Sequence, residues 1–285
     1  MRKLYVLLAT LAFSGSALAA DLAVKAPPVI LATPATNWTG FYAGVNGGNA
    51  WQDKASSISG DVDSGGGSVF VDVANSVNTT GNNLAFPLGG RLSGPLGGVQ
   101  FGYNWQPARQ WIAGIEADFD WSDLKNSASV SNPPGGVTLV QNSNQRLDWF
   151  GTLRGRFGYL LTDQLLVFGT AGLAYGETKA SANIVNSGAL GFNDGVIANA
   201  TLFCPGFTNC LAASQSRVSA GWTAGGGAEY AISKNLTLRV EYLHIDLGTQ
   251  NLTLVAVPPS TGNAFALAKF NNAYDLVRGA VSYRF

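Results

Sequence analysis

The sequence is poor in charged side chains, and this scarcity argues against most classes of soluble protein. Only 12% of its 285 residues are Asp, Glu, Lys or Arg, whereas an average soluble domain has about 25%. The formal net charge is zero. No Lys/Arg cluster or basic-aromatic motif is present, so nothing indicates nucleic-acid binding. The composition therefore points away from an ordinary cytosolic domain.

Long apolar runs are missing as well, and no stretch of 18 apolar residues is present. A membrane-spanning helix needs about 20 of them. The apolar run Leu4 to Phe13 follows two basic residues and precedes a small-residue cleavage motif that ends at Ala19, as in a signal peptide. We predict a signal peptide over residues 1–19 and, because residues 20–37 are rich in Ala and Pro, a flexible lead-in there.

Cysteine is almost absent. Cys204 and Cys210 are the only two, and no histidine or third cysteine lies beside them to complete a metal site. In an exported chain this spacing favours a local disulfide, with two free thiols as the alternative. We expect no metal and no cofactor.

Glycine and two-residue alternation are what the sequence has instead. There are 36 glycines, which indicates many close backbone contacts and sharp turns. In GVQFGYNWQ, Val99, Phe101, Tyr103 and Trp105 share one face of a strand. Strand-like segments of this kind recur eight times, at 38–51, 98–106, 110–121, 146–159, 165–178, 217–232, 235–248 and 272–285.

The joints between these segments alternate in length. Three are short turns, and four are long Gly/Asn/Ser-rich loops at 52–93, 123–145, 179–216 and 249–271. This order is typical of outer-membrane barrels, which have short periplasmic turns and long external loops. We predict an all-β fold over 38–285: an eight-stranded antiparallel up-and-down transmembrane β-barrel with four long external loops and both termini in the periplasm.

A soluble eight-stranded barrel is the alternative, because alternation alone does not say which face meets lipid. The aromatic residues favour the membrane barrel. They lie near strand ends, as interfacial girdles do: Trp38, Trp51, Trp105, Trp111, Trp121, Tyr159, Tyr175, Tyr230 and Phe285.

The face opposite the apolar one carries the charges. Charges removed from water need partners, and eight strands enclose a lumen that side chains can fill. We predict a salt-bridge network that closes the lumen, with Arg146, Arg217 and Arg284 on the same face. Its core members are Glu116, Asp118, Asp120, Asp148, Arg154, Arg156, Glu229, Arg239, Glu241 and Arg278.

Two other sites are weaker candidates. His244 with Asp246 could belong to a hydrolase, but no nucleophilic serine motif accompanies them, and a girdle position explains the histidine as well. The stretch Asp61 to Asp72 resembles a calcium loop, yet it lacks the bidentate Glu and the flanking helices. We expect neither to be functional.

Several motifs are similar to those of the small outer-membrane β-barrel proteins of alphaproteobacteria, especially rhizobia. They are WTGFYAGVNGGNAW, GGVQFGYNWQ, GIEADFDW, GTLRGRFGY, GTAGLAYG, GWTAGGGAEYAI, LRVEYLHIDLG and the terminal GAVSYRF. The resemblance implies a location in the outer membrane of a Gram-negative cell, among its lipids and lipopolysaccharide. It also implies insertion by the outer-membrane assembly machinery, which reads a terminal signal that Val281, Tyr283 and Phe285 match. A weak homo-oligomer is compatible with these sequence features.

The leading functional hypothesis is a non-enzymatic barrel that supports envelope integrity and presents its loops outside the cell. A low-conductance pore for small solutes or ions is the alternative. A lipid-modifying enzyme is a third and weaker one.

Overall fold

The structure, a computed structural model, describes residues 37–52, 54–60, 85–88, 90–132, 139–189, 192–193, 202–262 and 265–285. The signal peptide, nearly all of the lead-in and the calcium-loop candidate Asp61 to Asp72 lie outside these residues. No helix in the described part is long and apolar enough to cross a membrane.

The described residues contain eight long strands. They are β1 (Gly40–Gln52), β2 (Ser93–Ala108), β3 (Trp111–Asn132), β4 (Leu139–Thr162), β5 (Leu165–Asn186), β6 (Thr208–Ala231), β7 (Leu236–Ala256) and β8 (Phe265–Arg284). Five short strands lie between them: Ser57–Gly60, Ala85–Pro87, Phe192–Asn193, Leu202–Cys204 and Thr261–Gly262.

The eight long strands close into a ring. Each pairs antiparallel with the next along the chain, and β8 returns to β1 with Tyr42 opposite Arg284 and Gln52 opposite Tyr274. This confirms the predicted eight-stranded antiparallel barrel. Closure leaves no free strand edge at the level where β1 and β8 pair.

The outer face of the barrel is an apolar band between two aromatic girdles. Near the long-connection end, the upper girdle contains Trp51, Trp121, Tyr175 and Trp222, and near the short turns the lower girdle contains Phe41, Trp105, Trp111, Phe157, Tyr230, Tyr283 and Phe285. Trp111 and Trp121 lie on one strand, ten residues apart, or about 33 Å along it. A tilt of about 40° turns this into a band of about 25 Å, the apolar height of an outer-membrane barrel.

Several strands continue beyond the upper girdle into regions predicted to be loops. β3 and β4 run on to Asn132 and back from Leu139, so the predicted loop 123–145 is mostly a strand pair. The predicted loops 179–216 and 249–271 are likewise partly strand. We call this part of β3 to β8 the extension. The connection between β1 and β2 keeps nearly the predicted length, although Ser57–Gly60 within it pairs with β8.

Two facing bulges change which side chains point inward at the base of the extension. The β3–β4 register shifts between Trp121 and Leu124, and the β4–β5 register shifts between Leu147 and Trp149. Leu147 therefore becomes buried, although simple alternation places it on the lipid face together with Trp149.

Inward-facing glycines make room for the long side chains of the lumen. A Cβ at Gly172 would overlap the carbonyl oxygen of Leu153 and the Cα of Arg154. On the outer face, a Cβ at the neighbouring Gly155 would have only ordinary contact with the Ala171 carbonyl oxygen at 3.9 Å. The backbones of β4 and β5 therefore approach closely on the side where Arg154 enters the lumen.

Candidate functional site in the barrel lumen

Arg154 lies at the centre of a charged layer inside the barrel. It projects from β4, where inward positions recur every second residue. Its Nη1 donates to Glu241 Oε1 at 2.6 Å, and its Nη2 donates to Asp118 Oδ2 at 2.7 Å and also to Glu116. One guanidinium thus joins β4 to β3 beside it and to β7 across the lumen.

Arg278 extends the layer toward the long-connection end. Its Nη2 donates to Asp118 Oδ2 at 2.6 Å, and its Nη1 donates to Asp120 Oδ2 at 2.8 Å. Its Nε donates to Glu241 Oε2 at 3.1 Å. Asp118 and Glu241 therefore each accept from both Arg154 and Arg278, which makes the layer a connected network.

Arg156 and Arg239 complete the layer on the side of the short turns. Arg156 Nη2 donates to Glu229 Oε2 at 2.8 Å, and Arg239 Nε donates to the same oxygen at 3.2 Å. Arg239 also pairs with Glu116. Both guanidinium groups lie over the ring of Phe168, at 4.3 Å and 5.3 Å from its centroid.

Tyr42 belongs to this layer, although sequence reasoning did not select it. Its hydroxyl donates to Glu116 Oε2 and accepts from Arg156 Nη1 at 3.1 Å. The available signal was its place on the inward face of β1, opposite the apolar side chains of Phe41 and Val45. Because a phenol both donates and accepts, it can connect a carboxylate to a guanidinium.

The structure brings nine of the ten predicted core members together. All nine are buried, and none of the side chains in their ion pairs exposes more than 2% of its surface. Five carboxylates face four guanidiniums, and each of these acids accepts a hydrogen bond from at least one arginine. Planar guanidinium forks suit this crowded pairing better than an ammonium would.

Asp148 does not belong to the layer, contrary to the prediction. The bulge beside it turns its side chain to the outer face, where it pairs with Lys179 at 2.6 Å and Arg146 at 3.2 Å. Arg217 is exposed higher on β6. Arg284 is buried and lies over the ring of Trp38, 4.5 Å from its centroid.

Apolar clusters lie on both sides of the charged layer. On the short-turn side are Trp38, Ile112, Leu160, Leu166, Phe168 and Ala231. Trp38 is 1% exposed, so it fills the lumen and is not a girdle residue as predicted. On the other side, one cluster around Phe150, Leu243 and Leu276 is followed by a second around Ile184, Leu254 and Phe270.

His244 lies on the outer face of β7 at the level of the upper girdle. Its Nδ1 is 2.8 Å from Asp275 Oδ1, and its ring lies 5.2 Å from that of Trp222. Its acidic partner is Asp275 and not the predicted Asp246, whose Oδ1 accepts from the Gly248 amide. Asp275 also accepts from the Tyr242 hydroxyl at 2.6 Å. In the part of the chain that the structure describes, no group of three His, Cys, Asp or Glu residues could hold a metal ion.

The remaining predicted residues lie at the two ends of the barrel. Cys204 and Cys210 form a disulfide within the apolar cluster of the extension. At the other end, Val281, Tyr283 and Phe285 all face outward. The Phe285 amide donates to the Phe41 carbonyl oxygen at 3.0 Å.

Comparison with known proteins identifies the family. Residues 5–285 match the family described as the outer membrane protein beta-barrel domain. The chain belongs to this family. Within the outer-membrane β-barrel family, it is 36% identical over 285 residues to the 31 kDa outer-membrane immunogenic protein of Brucella melitensis, a match that covers 98% of this chain and 99% of that protein. These findings, with the closed ring of strands, establish an outer-membrane protein.

Other similar proteins are more distant. A 22 kDa outer membrane protein of Rhizobium leguminosarum is 30% identical over 161 residues, or 56% of each chain. Among solved structures, the outer membrane protein OprG of Pseudomonas aeruginosa has a TM-score of 0.43 at 14% identity, covering 87% of this chain and 96% of that one. A likeness at that level carries no information about function.

Proposed function

We propose that this chain is a non-enzymatic barrel with a closed lumen that supports the integrity of the outer membrane. The single observation that carries the proposal is the charged layer, whose nine buried side chains cross the lumen in a connected network. Its geometry joins strands and offers no open position for a reacting molecule. A relative is described as an outer-membrane immunogenic protein, and this description is consistent with a surface location for the present chain.

The apolar clusters add two further barriers to the lumen. An ion that crosses would have to pass Trp38 and its neighbours on the short-turn side, the charged layer, and the cluster around Phe150 on the other side. Eight strands leave an interior only wide enough for side chains. We therefore assign the barrel a role in stability and not in diffusion.

In the proposed orientation, both termini and the short turns lie in the periplasm, and the extension lies outside the cell. Long connections at one end and short turns at the other support this direction.

Planar-bilayer conductance tests the closed lumen. The wild-type protein should give small or no current, whereas Arg154→Ala/Arg156→Ala should admit water and raise conductance because Glu116, Asp118 and Glu229 lose partners. Arg91→Ala/Arg146→Ala, which removes two exposed arginines, is the matched control and should stay closed. Large wild-type channels that pass sugars would overturn the proposal.

A low-conductance pore is the second candidate, and one observation favours it. The side-chain amide atoms of Asn104 are buried in the lumen without hydrogen-bond partners among the described residues. Buried polar groups of this kind commonly form hydrogen bonds to water molecules. Discrete small currents in the wild-type protein that the Arg154/Arg156 double substitution enlarges would favour this candidate.

A further inference from the structure

The outer face of the extension carries small polar residues where strands β3 to β6 lie side by side. Ser127, Asn144, Ser181 and Ser214 pair across the four strands in one row. Their chain neighbours Ser143 and Ala182 are buried inside, so these four side chains point outward. Together with the next row they line an open groove of about 710 Å³.

A row of cations lies directly below this groove. Lys125, Arg146 and Lys179 are paired with one another in register, two residues below the row of Ser127. Arg146 and Lys179 also line a second recess of about 300 Å³ that shares Asn144, Ser181 and Ser214 with the groove. The groove and the cations therefore form one continuous surface.

Lys125 pairs with Asp123 at 2.8 Å, and both side chains are more than half exposed. The acidic neighbour of the other two cations lies closer to the barrel wall. Lys179 bonds to Asp148 at 2.6 Å, and the side chains of Lys179 and Asp148 are 43% and 23% exposed. Arg146, at 51%, also projects beyond Asp148. The hydrogen bond from Lys179 to Asp148 raises the pKa of the Lys179 ammonium. Lys179 therefore keeps its charge at neutral pH, and both it and Arg146 can reach a further anion.

The order of layers along this face defines the ligand. Aromatic Trp121 and Tyr175 come first, and Lys179 lies four residues beyond Tyr175 on β5, or about 13 Å along the strand. Hydroxyl and amide side chains follow. A lipopolysaccharide of the outer leaflet has the same sequence of layers: acyl chains, then phosphates, then sugars.

We propose that the outer face of β3 to β6 is a binding site for lipopolysaccharide, with Lys125, Arg146 and Lys179 on its phosphates and the groove around Ser181 on its sugars. This inference rests on the proposed orientation, with the extension outside the cell. Charge-assisted bonds hold the phosphate end. Short hydroxyl and amide side chains leave room for a sugar and give it hydrogen-bond partners.

Native mass spectrometry of the refolded full-length barrel can measure this binding with two ligands: lipopolysaccharide that contains core sugars, and lipid A alone. Lys125→Gln/Arg146→Gln/Lys179→Gln should weaken binding of both by about tenfold or more, since one lost charged contact is worth about that much. The matched control is Lys54→Gln/Arg91→Gln/Lys269→Gln, which removes three exposed cations outside the groove. It should bind like the wild type. Equal losses in the two triple variants, or none, would overturn the site.

Ser181→Phe tests the groove separately. A phenyl ring at the centre of the row should weaken binding of the core-containing ligand and leave lipid A binding unchanged. Unchanged binding of both ligands would remove the sugar contacts from the proposal. Because these positions lie outside the barrel core, a heat-dependent shift in gel mobility should show that every variant is folded.

Orientation is tested independently by Ser127→Cys in intact cells. Labelling by a membrane-impermeant maleimide is expected. A labelled cysteine combined with unchanged binding in the first triple variant would overturn the lipopolysaccharide site alone. An unlabelled cysteine in a correctly inserted barrel would overturn the orientation and the site together.

Discussion

At the scale of single residues, arginine is what allows a narrow lumen to hold this many charges. Arg154 reaches three carboxylates on two other strands through two of its nitrogens. A lysine has one nitrogen on a flexible stem and could not match this planar geometry. The same feature makes the layer sensitive, because each arginine removed leaves buried acids without a partner.

The first prediction at this scale concerns Arg154→Met. It should lower the free energy of unfolding by about 3 to 5 kcal/mol, because Glu116, Asp118 and Glu241 would lose a buried partner. Arg146→Met is the same change at an exposed pair and should cost about 1 kcal/mol or less. Urea unfolding in phospholipid vesicles, followed by tryptophan fluorescence, measures both. Similar values for the two variants would show that the layer adds little stability.

The sequence was sufficient to place most of the charged layer but not all of it. Alternation along β3, β4, β6, β7 and β8 put the right side chains on one face. It failed at Asp148, because a bulge inserts one residue without leaving a mark in the hydrophobic pattern. Trp38 was predicted as a girdle residue because an aromatic side chain near a strand end fits an interfacial girdle as well as the lumen.

At the scale of elements, the strands are longer than their hydrophobic pattern. Alternation of apolar and polar residues marks a strand only where one face meets lipid or a core and the other does not. In the extension both faces carry Ser, Asn and Gln, as at Asn142 to Gln145. The pattern vanishes there although the hydrogen-bonded ladder continues, which is why these strands were predicted to be loops.

Strand β8 gives a prediction about its last residue. Phe285 is 75% exposed, and its ring contacts Tyr283 with a centroid distance of 5.3 Å. It therefore adds little to packing, and its exposed ring is available for recognition. Deleting Phe285 should reduce insertion into the outer membrane of cells, whereas Phe285→Tyr should be tolerated, as membrane fractionation can measure.

Refolding of the same variants into detergent supplies the control. If Phe285 acts as an assembly signal, the deletion should refold as well as the wild type without the cellular machinery. Equal insertion of the two variants in cells would argue against the signal, and a refolding defect in the deletion would assign Phe285 a structural role.

At the scale of the whole molecule, the closed ring was predictable because connection lengths alternate along the chain. An even number of strands with short joints at one end can pair first to last, as β1 and β8 do over Tyr42 to Gln52. What the sequence did not show is the stack of apolar and charged layers inside. That stack depends on which inward positions of eight separate strands meet at one height.

Closure leads to a prediction about the intact molecule. Because the backbone groups of the closed ring are paired within the sheet, the folded barrel should stay intact in SDS at room temperature and change its gel mobility after boiling. A chain that lacks β8 should migrate alike in both states. Identical migration of the boiled and unboiled full-length protein, in a sample shown to be native by another method, would contradict the closed barrel.

The interrupted ladder between β6 and β7 has a mechanical consequence. Their pairing stops above Trp222 and Asp246 and resumes at Ala212 and Val255. Side chains bridge this interval, with Arg217 Nη2 donating to the Thr249 carbonyl oxygen at 3.1 Å and Gln250 Nε2 to Gln215 Oε1 at 3.1 Å. A tube slit along part of its length resists twisting far less than a closed one. The wall above the upper girdle is therefore compliant in torsion, and the closed ring beneath it is stiff.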